Sequence, residues 1–150
     1  MIKNIKETRT HSAEETEREG ICLAELLKND SSMPRFIALY GDLGVGKTAF
    51  VRGFVSVFSP AVAVRSPTFA LVNEYPSRDE KIFHFDMYRI TDEDDLYSIG
   101  YYDYLDSGIC LVEWSENIPY AIPDRHVRVL IEKSDPDDEN IRSVVITLSE

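Results

Sequence analysis

The first half of the chain alternates apolar stretches of helical spacing with one short run of strand length. Residues 12–15 (SAEE) place a serine three positions before a glutamate, the capping-box pattern that begins a helix. We therefore predict a helix of about 17 residues from this point. The side chains predicted to form its inner face are Cys22, Leu23, Leu26 and Leu27. Residues 35–40 (RFIALY) predict a strand, followed by a glycine-rich loop and a helix that ends near Phe58, before Pro60.

The middle of the chain changes to β-rich runs with polar connections. Residues 69–75 (FALVNEY) and 82–86 (IFHFD) predict two strands, and the polar residues 76–81 between them predict a hairpin turn. Residues 92–106 are acidic and rich in tyrosine. Their first positions (DEDD) suit the N-terminal turn of a helix, where exposed amide groups attract negative charge.

The last third of the chain predicts the centre and one side of a sheet. Residues 109–114 (ICLVEW) form a continuous apolar run, as expected of a strand buried on both faces. Residues 127–132 and 141–148 alternate apolar and polar positions and predict a hairpin around the polar turn at 135–140. The predicted fold class is α/β: a single domain over residues 1–150 with a mixed β-sheet flanked by helices and a C-terminal β-hairpin.

Charge and composition narrow the class of protein. The chain has 16 basic and 27 acidic residues and a net charge of −11, so a direct, strong grip on DNA or RNA is not expected. No apolar run approaches the roughly 18–20 residues that span a membrane. Residues 1–6 lack the apolar stretch of a signal peptide, so a cytoplasmic protein without a membrane partner is expected. Cys22 and Cys110 are interpreted as reduced core thiols in separate elements.

The glycine-rich loop carries the strongest chemical signal. Residues 41–48 (GDLGVGKT) match G-x-x-x-x-G-K-[ST] in full, between an apolar strand and a helix. Such a loop turns successive N–H groups toward phosphate oxygens, while Lys47 reaches the β- and γ-phosphates and the Thr48 hydroxyl binds Mg²⁺. We therefore predict a P-loop NTPase-like fold that binds ATP with Mg²⁺. The predicted ATP-binding residues of this segment are Gly41, Asp42, Leu43, Gly44, Val45, Gly46, Lys47, Thr48 and Ala49.

The identity of the nucleotide follows from what the chain lacks. A guanine-specific GTPase has an N-K-x-D element, whereas residues 132–135 (EKSD) lack the leading asparagine. ATP is therefore favoured.

Two carboxylates follow apolar strands and are candidates for the metal side of this site. Glu113 ends the run 109–112, and Asp86 ends the run 82–85. Phosphate-loop proteins use an acid in such a position to hold Mg²⁺, directly or through water. One of the two would take that role, and the other would either polarise the attacking water or hold a water molecule next to those bound to the metal. The residues themselves leave the assignment open.

Five further residues give weaker signals. Thr68 either contacts the γ-phosphate or is part of a plain turn. His84 alternates with Phe83 and Phe85 and is interpreted as a residue on one face of the sheet. Trp114, the only tryptophan, packs at the site or in the core. Arg89 is interpreted as the partner of a structural salt bridge. The layout places adenine near the start of the first helix, around residues 10–13, and Ser12 is the predicted ATP-binding residue there.

Taken in order, these motifs resemble the TsaE (YjeE) family, small bacterial ATPases of tRNA threonylcarbamoyladenosine (t6A) synthesis. The matching segments are SAEET at 12–16, GDLGVGKT at 41–48, SPTF at 66–69 with LV at 71–72, HFDMYR at 84–89 and LVEW at 111–114. The SPTF, HFDMYR and LVEW segments, found in this order, are more specific to the family than the phosphate loop, which many families share. The resemblance covers roughly residues 10–118, and the C-terminal hairpin adds no motif to it.

The resemblance implies a Mg²⁺-dependent, ATP-hydrolysing subunit required for t6A modification of the adenosine next to the anticodon. It implies low activity alone, stimulation by the partners TsaB and TsaD, and contact with tRNA only through those partners. By family analogy Thr48 and Glu113 bind the metal, and Lys47, Asp86 and Glu113 are catalytic. Thr68 and Trp114 would line the active site or face a partner.

Two other functions use the same loop. A small-molecule kinase needs a second substrate and often an arginine-rich lid, but the arginines of this sequence are scattered. A binding module would hold ATP only as a structural ligand, and the presence of both Asp86 and Glu113 favours hydrolysis over it. Production of ADP without an acceptor distinguishes the kinase from the partner-dependent ATPase.

Overall fold

The computed structural model describes residues 1–42, 44–67 and 70–150. Its strands are β1 (Ile2–Thr10), β2 (Phe36–Tyr40), β3 (Val72–Tyr75), β4 (Ile82–Asp86), β5 (Ile109–Glu113), β6 (His126–Lys133) and β7 (Arg142–Ser149). Its α-helices are α1 (Ala13–Asn29), α2 (Lys47–Phe58), α3 (Glu93–Ser98) and α4 (Tyr101–Tyr104). Two short 3-10 turns, Ser115–Asn117 and Pro119–Ala121, follow β5.

The described strands form one seven-stranded sheet in the order β1-β7-β6-β2-β5-β4-β3. The four inner strands β6, β2, β5 and β4 run parallel, and antiparallel strands complete both sides. The predicted mixed sheet with flanking helices, the hairpin at 72–86 and the C-terminal hairpin are therefore confirmed. The apolar run at 109–113 is an inner strand, as predicted, and all five of its residues are buried.

Alternation along the strands divides the core in two. Even-numbered positions of β4 and odd-numbered positions of β5, such as Ile82 and Leu111, face α1 and α2. The opposite positions, such as Phe85 and Val112, face α3, α4 and the segment after β5. Because successive side chains of a strand point to opposite faces, each face has its own apolar set.

Helices α1 and α2 approach each other closely at two glycines. A Cβ on Gly20 would overlap the carbonyl oxygen of Phe50 and lie 2.9 Å from the amide nitrogen of Phe54. A Cβ on Gly53 would lie 2.7 Å from the carbonyl carbon of Glu17. The two backbones touch at these positions, which fixes α2 against α1 and the sheet.

This contact corrects part of the predicted inner face of α1. Leu23 and Leu27 are buried as predicted, but Cys22 is exposed and Leu26 retains 37% of its accessible surface. A helix turns about 100° per residue, so positions 22 and 26 lie on the side opposite Gly20, the centre of the contact. The interpretation of Cys22 as a core thiol is therefore wrong, whereas Cys110 is buried in β5 as predicted.

Three local features differ from the predicted elements. Strand β1 was not predicted because most of its side chains are exposed, so it has little apolar alternation to detect. Strand β3 begins at Val72 because Leu71 has a left-handed backbone with φ of 67°, and Phe69 lies outside the described residues. The acidic segment starts a helix at Asp92 as predicted, but Gly100, with φ of 74°, separates it into α3 and α4. No helix in the described ranges is long and apolar enough to cross a bilayer.

The exposure of Cys22 can be tested with a thiol reagent. At pH 8 we expect one thiol per chain to react in the native protein and two in denaturant, because burial raises the pKa of Cys110 to about 12. Cys22→Ser should leave no reactive thiol before unfolding. Absence of reaction in the native wild-type protein would instead place Cys22 in the core.

The close contact of α1 and α2 predicts the sign of a stability change. Helix propensity alone would make Gly20→Ala stabilising by about 1 kcal/mol. Because the added Cβ meets backbone atoms of α2, we expect the free energy of unfolding to fall by about 1–3 kcal/mol. Denaturant unfolding measures the change, and Glu25→Ala on the exposed side of α1 is the control. A stabilised Gly20→Ala variant would contradict the contact.

Candidate active site

Three parallel strands bring the candidate residues to one edge of the sheet. The glycine-rich loop follows β2, Asp86 is the last residue of β4, and Glu113 is the last residue of β5. Asp86 and Glu113 are direct register partners, so their side chains emerge side by side on the α2 face. Carboxyl ends of parallel strands at such a sheet edge are a common place for ligand sites.

The glycine-rich loop leads into a helix N-terminus without a side-chain cap among the described residues. Gly44 and Gly46 have φ values of 75° and 113°, which side chains with a Cβ rarely adopt. Helices α1 and α3 are capped by side chains, Ser12 accepting from the Glu15 amide and Asp92 from the Asp95 amide. At α2, no side chain of the described residues caps the N-terminus. Its first amide groups are therefore left for an anion.

Lys47 lies buried at the base of the loop. Its ammonium group donates a hydrogen bond to the Gly41 carbonyl and lies 3.8 Å from the ring centre of Trp114. Burial lowers the pKa of Lys47, while the carboxylates of Glu116, Glu113 and other nearby acids raise it. Trp114 therefore lies at the site, which decides between the two positions that the sequence allowed.

The backbone at Trp114 is unusual for a residue with a side chain. Its φ of 59° is left-handed, and it directly follows Glu113. This turn brings the indole over Lys47 and within 5.0 Å, between ring centres, of the half-exposed Tyr88. A non-glycine residue in this conformation is strained and needs surrounding contacts to hold it.

The two carboxylates have different partners. Asp86 accepts from the Tyr88 amide at 3.0 Å through Oδ1 and from the Ser66 hydroxyl at 2.9 Å through Oδ2. Glu113 Oε2 lies 2.5 Å from Nε2 of His84. His84 is fully buried, so its prediction as a sheet-face residue is confirmed but incomplete.

These groups line one cavity of about 440 Å³. Its lining residues are Gly44, Gly46, Lys47, Thr48, Ser66, Asp86, Tyr88, Glu113 and Trp114. The oxygen donors of Thr48, Asp86 and Glu113 suit Mg²⁺, which binds proteins through one or two carboxylates together with substrate phosphates. No group of three or more His, Cys, Asp or Glu residues that could hold a metal occurs in the described part of the chain. The donor set therefore fits a nucleotide-bound Mg²⁺ better than an all-protein metal cage.

A smaller cavity of about 180 Å³ adjoins the other side of the loop. Its lining residues are Ser12, Ala13, Thr16, Gly44, Val45, Gly46, Ala49, Asn140 and Arg142. Arg142, at the start of β7, donates from Nε to the Val45 carbonyl at 2.9 Å. The C-terminal hairpin thus fixes the loop backbone next to the predicted adenine contact Ser12.

The predicted site residues that the structure describes line three separate cavities. Gly41 and Asp42 line neither cavity but a third one of about 400 Å³, with Glu116 and the end of β6. Gly41 also donates its amide to Glu116 at 3.2 Å. Leu43 and Thr68 lie outside the described residues, so their predicted roles stay predictions.

Sequence reasoning missed three residues that contact the site. Tyr88 lies within the HFDMYR segment, whose pattern does not by itself give the tyrosine a role. Glu116 follows two residues after Trp114, with no pattern to mark it. Arg142 lies on the C-terminal hairpin, which carries no motif, and only the tertiary contact with Val45 reveals it.

Comparison with known proteins gives one consistent family. The model of the family "Threonylcarbamoyl adenosine biosynthesis protein TsaE" matches residues 10–143. The TsaE protein of Aquifex aeolicus is 38% identical over 145 residues, covering 95% of this chain and 96% of its own. That of Haemophilus influenzae is 38% identical over 123 residues, covering 81% and 77%. The crystal structure of Bacillus subtilis YdiB aligns with a TM-score of 0.73 and 28% identity, covering 100% of this chain and 88% of that one.

Proposed function

The chain belongs to the TsaE family of threonylcarbamoyl adenosine biosynthesis proteins, and from this premise we propose that it is a Mg²⁺-dependent ATP-binding and ATP-hydrolysing subunit required for t6A modification. The modified base would be the adenosine next to the anticodon. TsaB and TsaD would be its partners, and their contact would stimulate a low intrinsic activity.

One observation carries the proposal. A single cavity is lined both by the loop residues Lys47 and Thr48 and by the strand-end carboxylates of Asp86 and Glu113. A binding module needs only the loop, whereas hydrolysis also needs groups that act on the metal and on water. The pairing of both sets in one cavity supports hydrolysis.

The loop and α2 would bind the phosphates. No side chain of the described residues caps the N-terminus of α2, and Lys47 is 5% exposed, so its charge acts in a poorly hydrated site. Lys47 would exchange its hydrogen bond with the Gly41 carbonyl for phosphate oxygens. The adenosine part would extend toward Ser12 and Ala49 in the adjoining cavity.

The metal side and the water side would be divided between the carboxylates. Thr48 and Glu113 would hold Mg²⁺, and the bound ion supplies neutralisation of charge on the β- and γ-phosphates. Asp86 is held by donors on both oxygens, which fixes the orientation of its carboxylate. It would accept a hydrogen bond from the attacking water and thereby orient it.

The charge of the chain supports an indirect role at tRNA. A net charge of −11 repels a polyanion, so a partner protein would hold the tRNA. ATP hydrolysis here would then act on the partners and not on the nucleic acid itself.

Steady-state hydrolysis tests the proposed activity. We expect slow ADP formation by the purified protein, a clear rise with TsaB plus TsaD, and a loss of about 100-fold or more in Lys47→Ala and Glu113→Gln. Lys81→Ala and Glu25→Gln, at exposed positions away from the cavity, should keep wild-type rates.

The same assay distinguishes the alternative function. If TsaB and TsaD have no effect while a small acceptor becomes phosphorylated, the protein is a kinase. Wild-type rates in both Lys47→Ala and Glu113→Gln would instead assign any ADP to a contaminant.

The contact of Arg142 with the loop predicts an effect on affinity from outside the motif. Arg142→Met removes the hydrogen bond to the Val45 carbonyl, and we expect the Kd for ATP to rise about tenfold. The fluorescence of the single tryptophan, Trp114, reports binding because its ring contacts Lys47. Arg18→Met, on the exposed side of α1, is the matched control. An unchanged Kd in Arg142→Met would show that the loop holds its shape without the hairpin.

A further inference from the structure

A buried line of three side chains runs from the cavity into the sheet. Glu113 Oε2 lies 2.5 Å from His84 Nε2, and His84 Nδ1 lies 3.0 Å from the Tyr75 hydroxyl. Tyr75 in turn donates to the Arg65 carbonyl at 3.2 Å. His84 is fully buried, and Tyr75 and Glu113 are 5% and 4% exposed, so water has little access to this line.

Residues 65 and 66, where this line of side chains ends, also lie next to the second carboxylate of the site, that of Asp86. Asn73 donates to the Arg65 carbonyl at 3.0 Å, and the Ser66 hydroxyl donates to Asp86 Oδ2 at 2.9 Å. Residues 65 and 66 are therefore connected by hydrogen bonds to both carboxylates of the site, on one side through His84 and on the other directly.

Polar partners at both ring nitrogens restrain the imidazole of His84. Burial raises the pKa of Tyr75, so its hydroxyl keeps the proton that it donates to Arg65. The Tyr75 oxygen also lies 3.0 Å from His84 Nδ1, so each ring nitrogen of His84 has a polar partner, Tyr75 at Nδ1 and Glu113 at Nε2. With a partner at each nitrogen, the ring of His84 cannot rotate without breaking a buried hydrogen bond, which is costly.

A purely space-filling histidine does not account for this arrangement. Neighbouring positions on the same sheet face are Ile82 and Leu111, and an apolar residue at position 84 would avoid the cost of burying an imidazole. Among the described residues, it would also remove the side-chain hydrogen-bond partner of Glu113. The polar line instead fixes the direction of one carboxylate.

We propose that His84 is a positioning residue, which together with Tyr75 orients the Glu113 carboxylate toward the metal and couples it to residues 65 and 66. This inference rests on the proposed function, because it assigns Glu113 to Mg²⁺. Partners that orient a ligating side chain typically change metal affinity 10- to 100-fold when removed. Phosphate binding by the loop does not depend on them.

Amide variants separate the two ends of the imidazole. The amide nitrogen of glutamine overlaps the position of Nε2 and can still donate to Glu113, whereas that of asparagine overlaps Nδ1 and reaches only toward Tyr75. The assay is the Mg²⁺ dependence of ATP hydrolysis at saturating ATP, together with ATP affinity in EDTA from Trp114 fluorescence. His126→Asn, at the start of β6 away from the cavity, is the matched control.

We expect the half-saturating Mg²⁺ concentration to rise about tenfold or more in His84→Asn and to stay within about threefold of wild type in His84→Gln. Tyr75→Phe should raise it about threefold to fivefold, because it removes the hydroxyl that contacts both His84 and the Arg65 carbonyl but leaves the contact of His84 with Glu113. ATP affinity in EDTA should not change in any of them. Unfolding curves establish that each variant is folded.

Several results would overturn the inference. Suppose that ATP hydrolysis by the wild type requires Mg²⁺, and that His84→Asn and His84→Gln have the same half-saturating Mg²⁺ concentration as the wild type. His84 then only fills space, and the proposed function is unaffected. Should the His84 variants not fold, an unchanged Mg²⁺ dependence in Tyr75→Phe overturns it as well. If wild type neither binds nor hydrolyses ATP, the proposed function fails and the inference with it.

Discussion

The parallel pairing of β4 with β5 is the constraint on which the site depends. Its register sets Asp86 opposite Glu113 and brings both to the edge where the loop after β2 begins. A slip of one residue in either strand would turn its carboxylate into the other core, among Phe85 and Val112. The apolar alternation that fills the two cores therefore also fixes which way the carboxylates point. The α1–α2 contact completes the arrangement, because it holds the start of α2 above the same edge.

The site combines buried charge with local strain, and its neighbours offset both. Lys47, Asp86 and Glu113 are each less than 10% exposed, and the desolvation of such groups costs several kcal/mol unless donors or opposite charges lie close. Here each has a defined partner: a carbonyl and an indole for Lys47, a hydroxyl and an amide for Asp86, and an imidazole for Glu113. The left-handed backbone at Trp114 lies at the same edge. On the proposed function, groups held by such partners would need little reorganisation during reaction, which favours electrostatic catalysis.

The parts that the sequence predicts well are those with a local cause. The capping box at Ser12, the loop before α2 and the buried strands depend on neighbours close in sequence, and the even and odd positions of β4 and β5 already place His84, Asp86 and Glu113. The features that escaped prediction depend on distant contacts. Cys22 faces outward because Gly20 meets α2, β1 exists because β7 offers it an edge, and Arg142 acts on a loop 97 positions away.

On the proposed function, this acidic chain binds a triphosphate and must supply its attraction locally. At physiological ionic strength charges are screened beyond about 8 Å, so the net charge of −11 matters less than the groups at the loop. Backbone amides and Lys47 are attractive at that range, whereas Glu113, Asp86 and Glu116 are repulsive. The repulsive carboxylates lower the affinity for a bare triphosphate more than the affinity for a triphosphate whose charge is partly neutralised by a divalent cation. On the proposed function, the same carboxylates that complete the metal site therefore make the site selective for the metal-bound nucleotide.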